Sequence, residues 1–240
     1  MEPGYAAYYR HLYEHHWWWR AREQIILGHL AHLKPAGEFG PILDVGCGDG
    51  LFFEKLRAFG EPEGVEEDAA LVTAVGRAQG PIHVGPFDES FRPSRRYALI
   101  LLLDVLEHCR DDRACLRRAL DLLAPGGTIV VTVPAFRALW TAHDDVNRHA
   151  RRYTRASLGR LAADAGLRLD RTEYLFQFTA VLKLAVRAKE AVWRPGRELP
   201  PVPGRLVNGV LRTAAVAEHA LLHRLPVPFG SSLLAIARRA

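Results

Sequence analysis

The sequence predicts an α/β fold: a mainly parallel sheet with helices on both faces. Three observations carry this. From residue 41 onward, short apolar runs alternate with helix-length stretches, the rhythm of βαβ units. The runs Leu99-Ile100-Leu101-Leu102-Leu103 and Ile129-Val130-Val131 are continuously apolar, as parallel strands covered on both faces are. A glycine cluster, Gly46-Cys47-Gly48-Asp49-Gly50, stands where the first strand hands over to a helix.

In chain order, residues 1–40 hold an aromatic helix in which Trp18, Ile25, Ile26, Leu30 and Leu33 recur at helical spacing. Strands are expected at 42–45, 64–66, 81–84 and 97–104, with helices at 51–59 and 69–78 between them. A helix at 113–123 stops at Pro125-Gly126-Gly127, and a strand at 128–133 closes at Pro134. Thr154 can cap a helix running to residue 165, and 167–175 reads as a strand. Phe178, Val181, Leu182, Ala185 and Val192 form one helical stripe, and Val207, Val210, Leu211, Ala214, Ala217, Leu221 and Leu225 form a second. A proline- and glycine-rich break at 195–204 separates them, and 229–237 reads as a last strand. The expected division is an N-terminal helical lid at 1–40, a core at 41–177, a helical insertion at 178–225 and the final core strand at 226–240.

The chain has 240 residues, of which 49% are hydrophobic and 25% charged, which excludes a disordered or fibrous protein. Cys47, Cys109 and Cys115 cannot build a disulfide scaffold and fit no zinc spacing, so a reduced, cytoplasmic protein is expected. No signal peptide and no membrane-spanning run is expected. The net charge of +5 is unevenly placed. Residues 1–40 are neutral, 41–135 carry −5, and 136–240 carry +10. An acidic half therefore holds the glycine loop, and a basic half invites an anionic acceptor or an anionic membrane surface.

Glycines after a strand let the backbone turn tightly and approach a ligand with no Cβ in the way. The pattern departs from the dinucleotide fingerprint, because the third glycine, Gly50, comes one residue early and Leu51 stands in its place. The Gly-Lys-Ser/Thr of a phosphate loop is absent. Asp44 would repel a pyrophosphate and suits a cationic or hydroxyl-bearing ligand. Glu66 ends the second strand, where a carboxylate accepts from ribose hydroxyls.

The segments 44–50, Gly64-Val65-Glu66, Leu103-Asp104-Val105-Leu106-Glu107-His108 and Leu123-Ala124-Pro125-Gly126-Gly127 resemble the successive motifs of class I S-adenosylmethionine (SAM)-dependent methyltransferases. His16-Trp17-Trp18-Trp19-Arg20-Ala21-Arg22, with Val133-Pro134-Ala135-Phe136 and Arg151-Arg152-Tyr153-Thr154, is similar to one large bacterial group of them. The resemblance implies a Rossmann-like fold with a seven-stranded, mostly parallel sheet, and SAM as cofactor. It implies that Asp44, Gly46, Cys47 and Gly48 line the methionine part, Glu66 holds the ribose, and Phe87 or Asp88 borders the adenine. Asp104 and Val105 would flank the sulfonium, and Trp18 with Arg22 would close over the cofactor.

Methyl transfer needs a positioned nucleophile and a group to take its proton. His108, His143 and His149 follow strand ends and qualify; His143, beside Asp144, and His108 are the expected catalytic residues. No metal is expected, although Asp104-x-x-Glu107-His108 resembles a metal-binding element of some O-methyltransferases. The expected reaction is methylation of an oxygen or nitrogen on a small, lipid-like or anionic metabolite. An RNA methyltransferase and a non-catalytic SAM- or partner-binding protein are the alternatives. The insertion is open to three readings: a lid, a homodimer contact or a peripheral membrane contact.

Overall fold

The computed structural model describes residues 5–34, 36–192 and 201–240. Strands β1 (Gly40–Val45), β2 (Gly60–Glu66), β3 (Ile82–Val84), β4 (Tyr97–Leu103), β5 (Leu123–Pro134), β6 (Leu167–Leu175) and β7 (Ser232–Arg239) form one sheet, ordered β3-β2-β1-β4-β5-β7-β6. The first five pair in parallel, and β7 runs antiparallel to both β5 and β6. This is the expected α/β class, a seven-stranded and mostly parallel sheet among the described residues.

Helices follow the chain as α1 (Tyr5–His15), α2 (Trp17–Leu33), α3 (Phe53–Leu56), α4 (Ala74–Gln79), α5 (Asp112–Leu122), α6 (Ala142–Val146), α7 (Arg155–Asp164), α8 (Gln177–Val192) and α9 (Arg205–Leu222). Strand alternation sends Leu43, Val45, Ile100 and Ile129 to one face, against Leu116 and Ala119 of α5 and Leu158 of α7. It sends Ile42, Leu99, Leu101 and Val130 to the other, against Ile25 and Ile26 of α2 and Phe53 of α3. Each face is covered, which is why the central strands read as unbroken apolar runs.

Several boundaries differ from the sequence expectation, for local reasons. The N-terminal helix is two helices, because His16 turns extended and its ring Nδ1 accepts the Trp18 N–H at 3.2 Å, capping α2. The helix expected at 69–78 is interrupted at Thr73. The Asp49 carboxylate accepts the Thr73 N–H at 2.8 Å and also its hydroxyl, and that hydroxyl in turn caps α4 at Gly76. β5 begins at Leu123 rather than 128, since the Pro125-Gly126-Gly127 stretch is a bulge within the strand rather than a stop. The expected break at 195–204 lies outside the described residues up to 200, as do Arg194 and Arg197.

The two helices interposed between β6 and β7 are anchored by polar contacts. The Asn208 side chain of α9 accepts from the Trp17 N–H at 2.7 Å and donates to the His15 carbonyl at 2.6 Å. Glu218 of α9 accepts from the N–H groups of Gln177 and Phe178 at 2.9 and 2.8 Å, capping α8. A contact between the buried side chains of His29 and Glu173 fastens α2 to β6. No helix among the described residues is long and apolar enough to cross a membrane.

Two glycines predict opposite responses to alanine. At Gly60 a Cβ would collide with the Gly40 carbonyl oxygen of the neighbouring strand, so Gly60→Ala should cost about 1–3 kcal/mol. At Gly28, inside α2, a Cβ would meet nothing within 4 Å, so Gly28→Ala should gain up to about 1 kcal/mol. Urea unfolding of both variants checks the pair.

Candidate active site

In this strand order the connections reverse direction between β1 and β4, and open α/β sheets bind ligands in the crevice outside the strand ends there. After β1 the chain makes a loop in which Gly46 and Gly48 take left-handed φ values of 70° and 53°. The Gly46 N–H donates to the Val65 carbonyl of β2 at 2.8 Å, tying the loop to its neighbour strand. A Cβ at Gly46 would touch Val105, whereas one at Gly48 would enter open space. The loop thus presents a bare backbone toward a cradle that a side chain would partly fill.

Glu66 holds this loop from the end of β2. One carboxylate oxygen accepts the Gly48 N–H at 2.9 Å and the other the Asp68 N–H at 2.9 Å. Burial raises the Glu66 pKa, and these two bonds oppose the rise. Asp44, at the end of β1, is pushed up to about 7 by burial, with Arg22 opposing and Glu66 adding. A cationic group set beside Asp44 would favour its charged form. Cys47 is half-buried, with its Sγ 3.6 Å from the Gly48 carbonyl oxygen. Burial raises its thiol pKa, which leaves it a packing group.

Across the crevice, Asp104 follows β4 with φ of 59° and meets Arg22 at 2.7 Å. Arg22 also donates to the Thr132 hydroxyl of β5 at 2.9 Å, and that hydroxyl donates to Asp104 at 3.1 Å. The Arg22 guanidinium lies 5.5 Å from the Trp18 ring centroid and 5.9 Å from that of Trp19. Its buried Nε has no hydrogen-bond partner. Trp18 itself packs edge-to-face on Trp19 and beside Phe176, so the aromatic signature is both packing and a platform for Arg22. The structure separates the two residues proposed after the third strand. Asp88 is exposed, and its carboxylate is taken by the Ser90 N–H and hydroxyl at 2.8 and 2.6 Å. Phe87 is half-buried against the core.

The histidines gather on the other side of Asp104. The rings of His108 and His149 meet edge-to-face at 4.8 Å. Glu107 is fully buried with neither carboxylate oxygen hydrogen-bonded, and burial raises its pKa well above the carboxylate range. One atom each from Glu107, His108 and His149 lie within 4.8 Å of one another, a donor set that could hold a cation.

Asp144 is not the partner of His143 that the sequence suggests. Its carboxylate accepts from His149 Nδ1 at 2.8 Å, from Arg152 at 2.8 and 2.9 Å, and from the Thr141 N–H at 2.9 Å. Burial works against its charge, and these bonds outweigh it, so its pKa falls below the ordinary range. The geometric reason is that Asp144 is the third residue of α6, where its buried carboxylate turns back to cap the helix at Thr141, while its neighbour His143 is exposed. His143 sits beside Asn147, whose amide lies 3.1 Å from its Nε2. Packing around the ring and then Lys183 lower the His143 pKa to about 4. His108 is likewise lowered to about 4, by burial and then by His149.

Sequence reasoning counts Lys183 among the basic side chains of the insertion and does not place it at the site. Burial and Arg152 depress its pKa to about 8, against the pull of Asp144, Asp104 and Glu190, which places its ammonium in the field of the site. It lies off the apolar stripe of its helix, and that offset is the signal that could have found it. Thr132 was missed, although a threonine within an otherwise apolar strand marks it.

A family model described as "Methyltransferase domain" matches residues 8–172. A protein named probable S-adenosylmethionine-dependent methyltransferase from Mycolicibacterium smegmatis is 27% identical over 73% of this chain and 69% of its own. The ubiquinone biosynthesis O-methyltransferase of a Bradyrhizobium species is 32% identical over a stretch that covers 38% of each chain, well short of that relative's full length. Among solved structures, the complex between the Haloferax volcanii Trm112 methyltransferase activator and a methyltransferase superposes with a TM-score of 0.62 at 18% identity, over 98% of this chain and 94% of that one.

Because Asp144 has a folded pKa below its unfolded value, it stabilises the protein above about pH 4. That stabilisation is lost as the pH falls further. Asp144→Asn should therefore cost about 3 kcal/mol at neutral pH, leaving Arg152 buried without its counter-charge. Its acid-unfolding curve should also be shallower than the wild type's, a difference that denaturant titration between pH 2 and 7 measures.

Proposed function

The chain belongs to the methyltransferase domain family and has the class I fold of SAM-dependent methyltransferases, and on that footing we propose that it transfers a methyl group from SAM to an oxygen or nitrogen of a small, lipid-like or anionic metabolite. The observation that carries the reading is the bare glycine loop held open by the Glu66 carboxylate, beside buried Asp44.

The residues present suit the cofactor. Asp44 is a buried acid able to become the counter-charge of an ammonium, and the unpartnered Nε–H of Arg22 is a donor for a carboxylate. Glu66 spends one bond per oxygen on the backbone and keeps acceptor capacity for a diol. In this reading Asp44, Gly46, Cys47 and Gly48 line the methionine part, Glu66 holds the ribose and Phe87 borders the adenine. Asp104 and Val105 flank the reacting centre, and Trp18 with Arg22 closes the site. SAM, when bound, supplies a methyl on a sulfonium, open to in-line displacement.

The proton of the acceptor falls to His149. Its Nδ1 is held by Asp144, which leaves Nε2 as the basic atom and fixes the ring. Asp144 is then a positioning residue, and the lowered pKa values of His143 and His108 make each the weaker base. The curated relatives named for ubiquinone biosynthesis support a lipid-like acceptor methylated on oxygen. Lys183 and Arg152 support an anionic one. The two unpartnered oxygens of Glu107 favour a second reading, in which Glu107, His108 and His149 hold a divalent cation and His149 is a ligand rather than the base.

SAM titration by calorimetry should show binding that Glu66→Ala or Gly48→Val weakens tenfold or more, through about 1.4 kcal/mol or more of lost bonding and added backbone strain. No heat with the wild type removes the cofactor reading. With a turned-over acceptor, His149→Ala should lower kcat by about 10²–10⁴ with SAM affinity intact, and His143→Ala far less. A larger loss at His143 overturns the assignment. Loss of turnover on chelation, restored by added metal, would favour the cation reading instead.

A further inference from the structure

The insertion between β6 and β7 is amphipathic in the reverse of the usual sense. A surface helix of a monomeric protein normally turns its apolar stripe inward. On α8, Val181, Leu184, Ala185 and Ala188 share one face, and all are exposed. The opposite face carries Lys183 and Glu190, both half-buried, with exposed Arg187 beside them. There Arg187 bonds the Ala138 carbonyl and Glu190 accepts the Ala142 N–H at 3.2 Å. On α9, Val207, Val210, Ala214, Ala217 and Leu221 share a face and are likewise all exposed, while Asn208, Ala215 and His219 face the core. Ten of the eleven exposed large hydrophobic residues among those described fall between residues 181 and 229. A concentration of apolar surface on this scale marks an interaction site rather than scatter.

Charge decides what covers it. Among the described residues of the insertion, Lys189, Arg205 and Arg224 are exposed basic groups, whereas Glu190 and Glu218 are half-buried and bonded to backbone N–H groups. A second copy of this face would bring the same positive charge against itself. The centres of protein–protein interfaces are depleted in lysine. Basic side chains flanking an apolar stripe match instead a surface with anionic headgroups over hydrocarbon. Neither helix is apolar enough to span, so the contact lies along the interface.

We propose that the helical insertion docks on an anionic lipid bilayer, with the outward stripes of α8 and α9 at the headgroup boundary and Lys183 over the acceptor side of the site. This rests on the methyl-transfer reading and deepens it, since α8 then joins the bilayer to the site and the acceptor is a membrane-borne lipid with an anionic or polar head. The same α8 that turns Val181 and Leu184 outward carries half-buried Lys183 on its opposite face, so one helix presents two surfaces.

The test floats the full chain with vesicles of phosphatidylcholine alone, or of phosphatidylcholine with phosphatidylglycerol. Binding should be at least tenfold tighter to the anionic vesicles and should weaken as salt rises. The double variant Val207→Glu with Val210→Glu, and separately Leu184→Glu, should each lose tenfold or more of it while binding SAM as the wild type does. Absence of vesicle binding, or binding indifferent to these variants, overturns the proposal. A dimer in sedimentation velocity that the same variants dissolve also overturns it, in favour of a second copy. SAM calorimetry on the same samples keeps the two readings apart, because vesicle binding without SAM binding sinks only the methyl-transfer reading.

Discussion

One buried cation organises the site end of this protein. The Arg22 guanidinium has left water, and the cost of that, several kcal/mol per ion, must be met by close partners. Asp104, Thr132 and the faces of Trp18 and Trp19 supply them, and each comes from a different part of the fold. Thr132 fixes the height of β5 relative to β4. Asp104 accepts a left-handed backbone so that its carboxylate can reach, a strain that the surrounding contacts hold in place. Arg22 thereby ties the N-terminal helix α2 to the ends of β4 and β5.

Around that cation the carboxylates divide into two kinds. Asp104 and Asp144 are engaged by guanidinium groups, and the bonds to Asp144 lower its pKa. Asp44, Glu66 and Glu107 have raised pKa values because burial outweighs their partners. Glu66 raises the pKa of Asp44 further, as Asp104 raises that of Glu107. This division leaves the Glu66 side ready for hydroxyls, the Asp44 side ready for a cation, and Glu107 without any bond of its own.

Much of this was legible in the residue order. The glycine loop, the Glu66 position and the α/β order follow from strand periodicity and from the chemistry of a turn that a ligand must approach. What was not legible depended on contacts distant in sequence. Thr73 leaves the helical path because Asp49, 24 positions earlier, binds its N–H. Asp144 pairs with His149 and Arg152, not with its neighbour His143, because adjacent residues on a helix point apart. The stripes on α8 and α9 were readable, but their direction was not. Periodicity tells that a helix has two faces and is silent on which one meets the protein. Only the placement of Lys183, Glu190 and Asn208 toward the body reveals it.

The position of β7 carries a consequence for how the protein is made. It is the last of the seven strands in sequence, yet it lies inside the sheet, between β5 and β6. During synthesis β6 emerges from the ribosome with no strand to join, and one side of β5 stays open while the whole insertion is translated. Two unpaired strand edges and two helices with outward apolar stripes are therefore exposed together in the nascent chain, a state prone to aggregation.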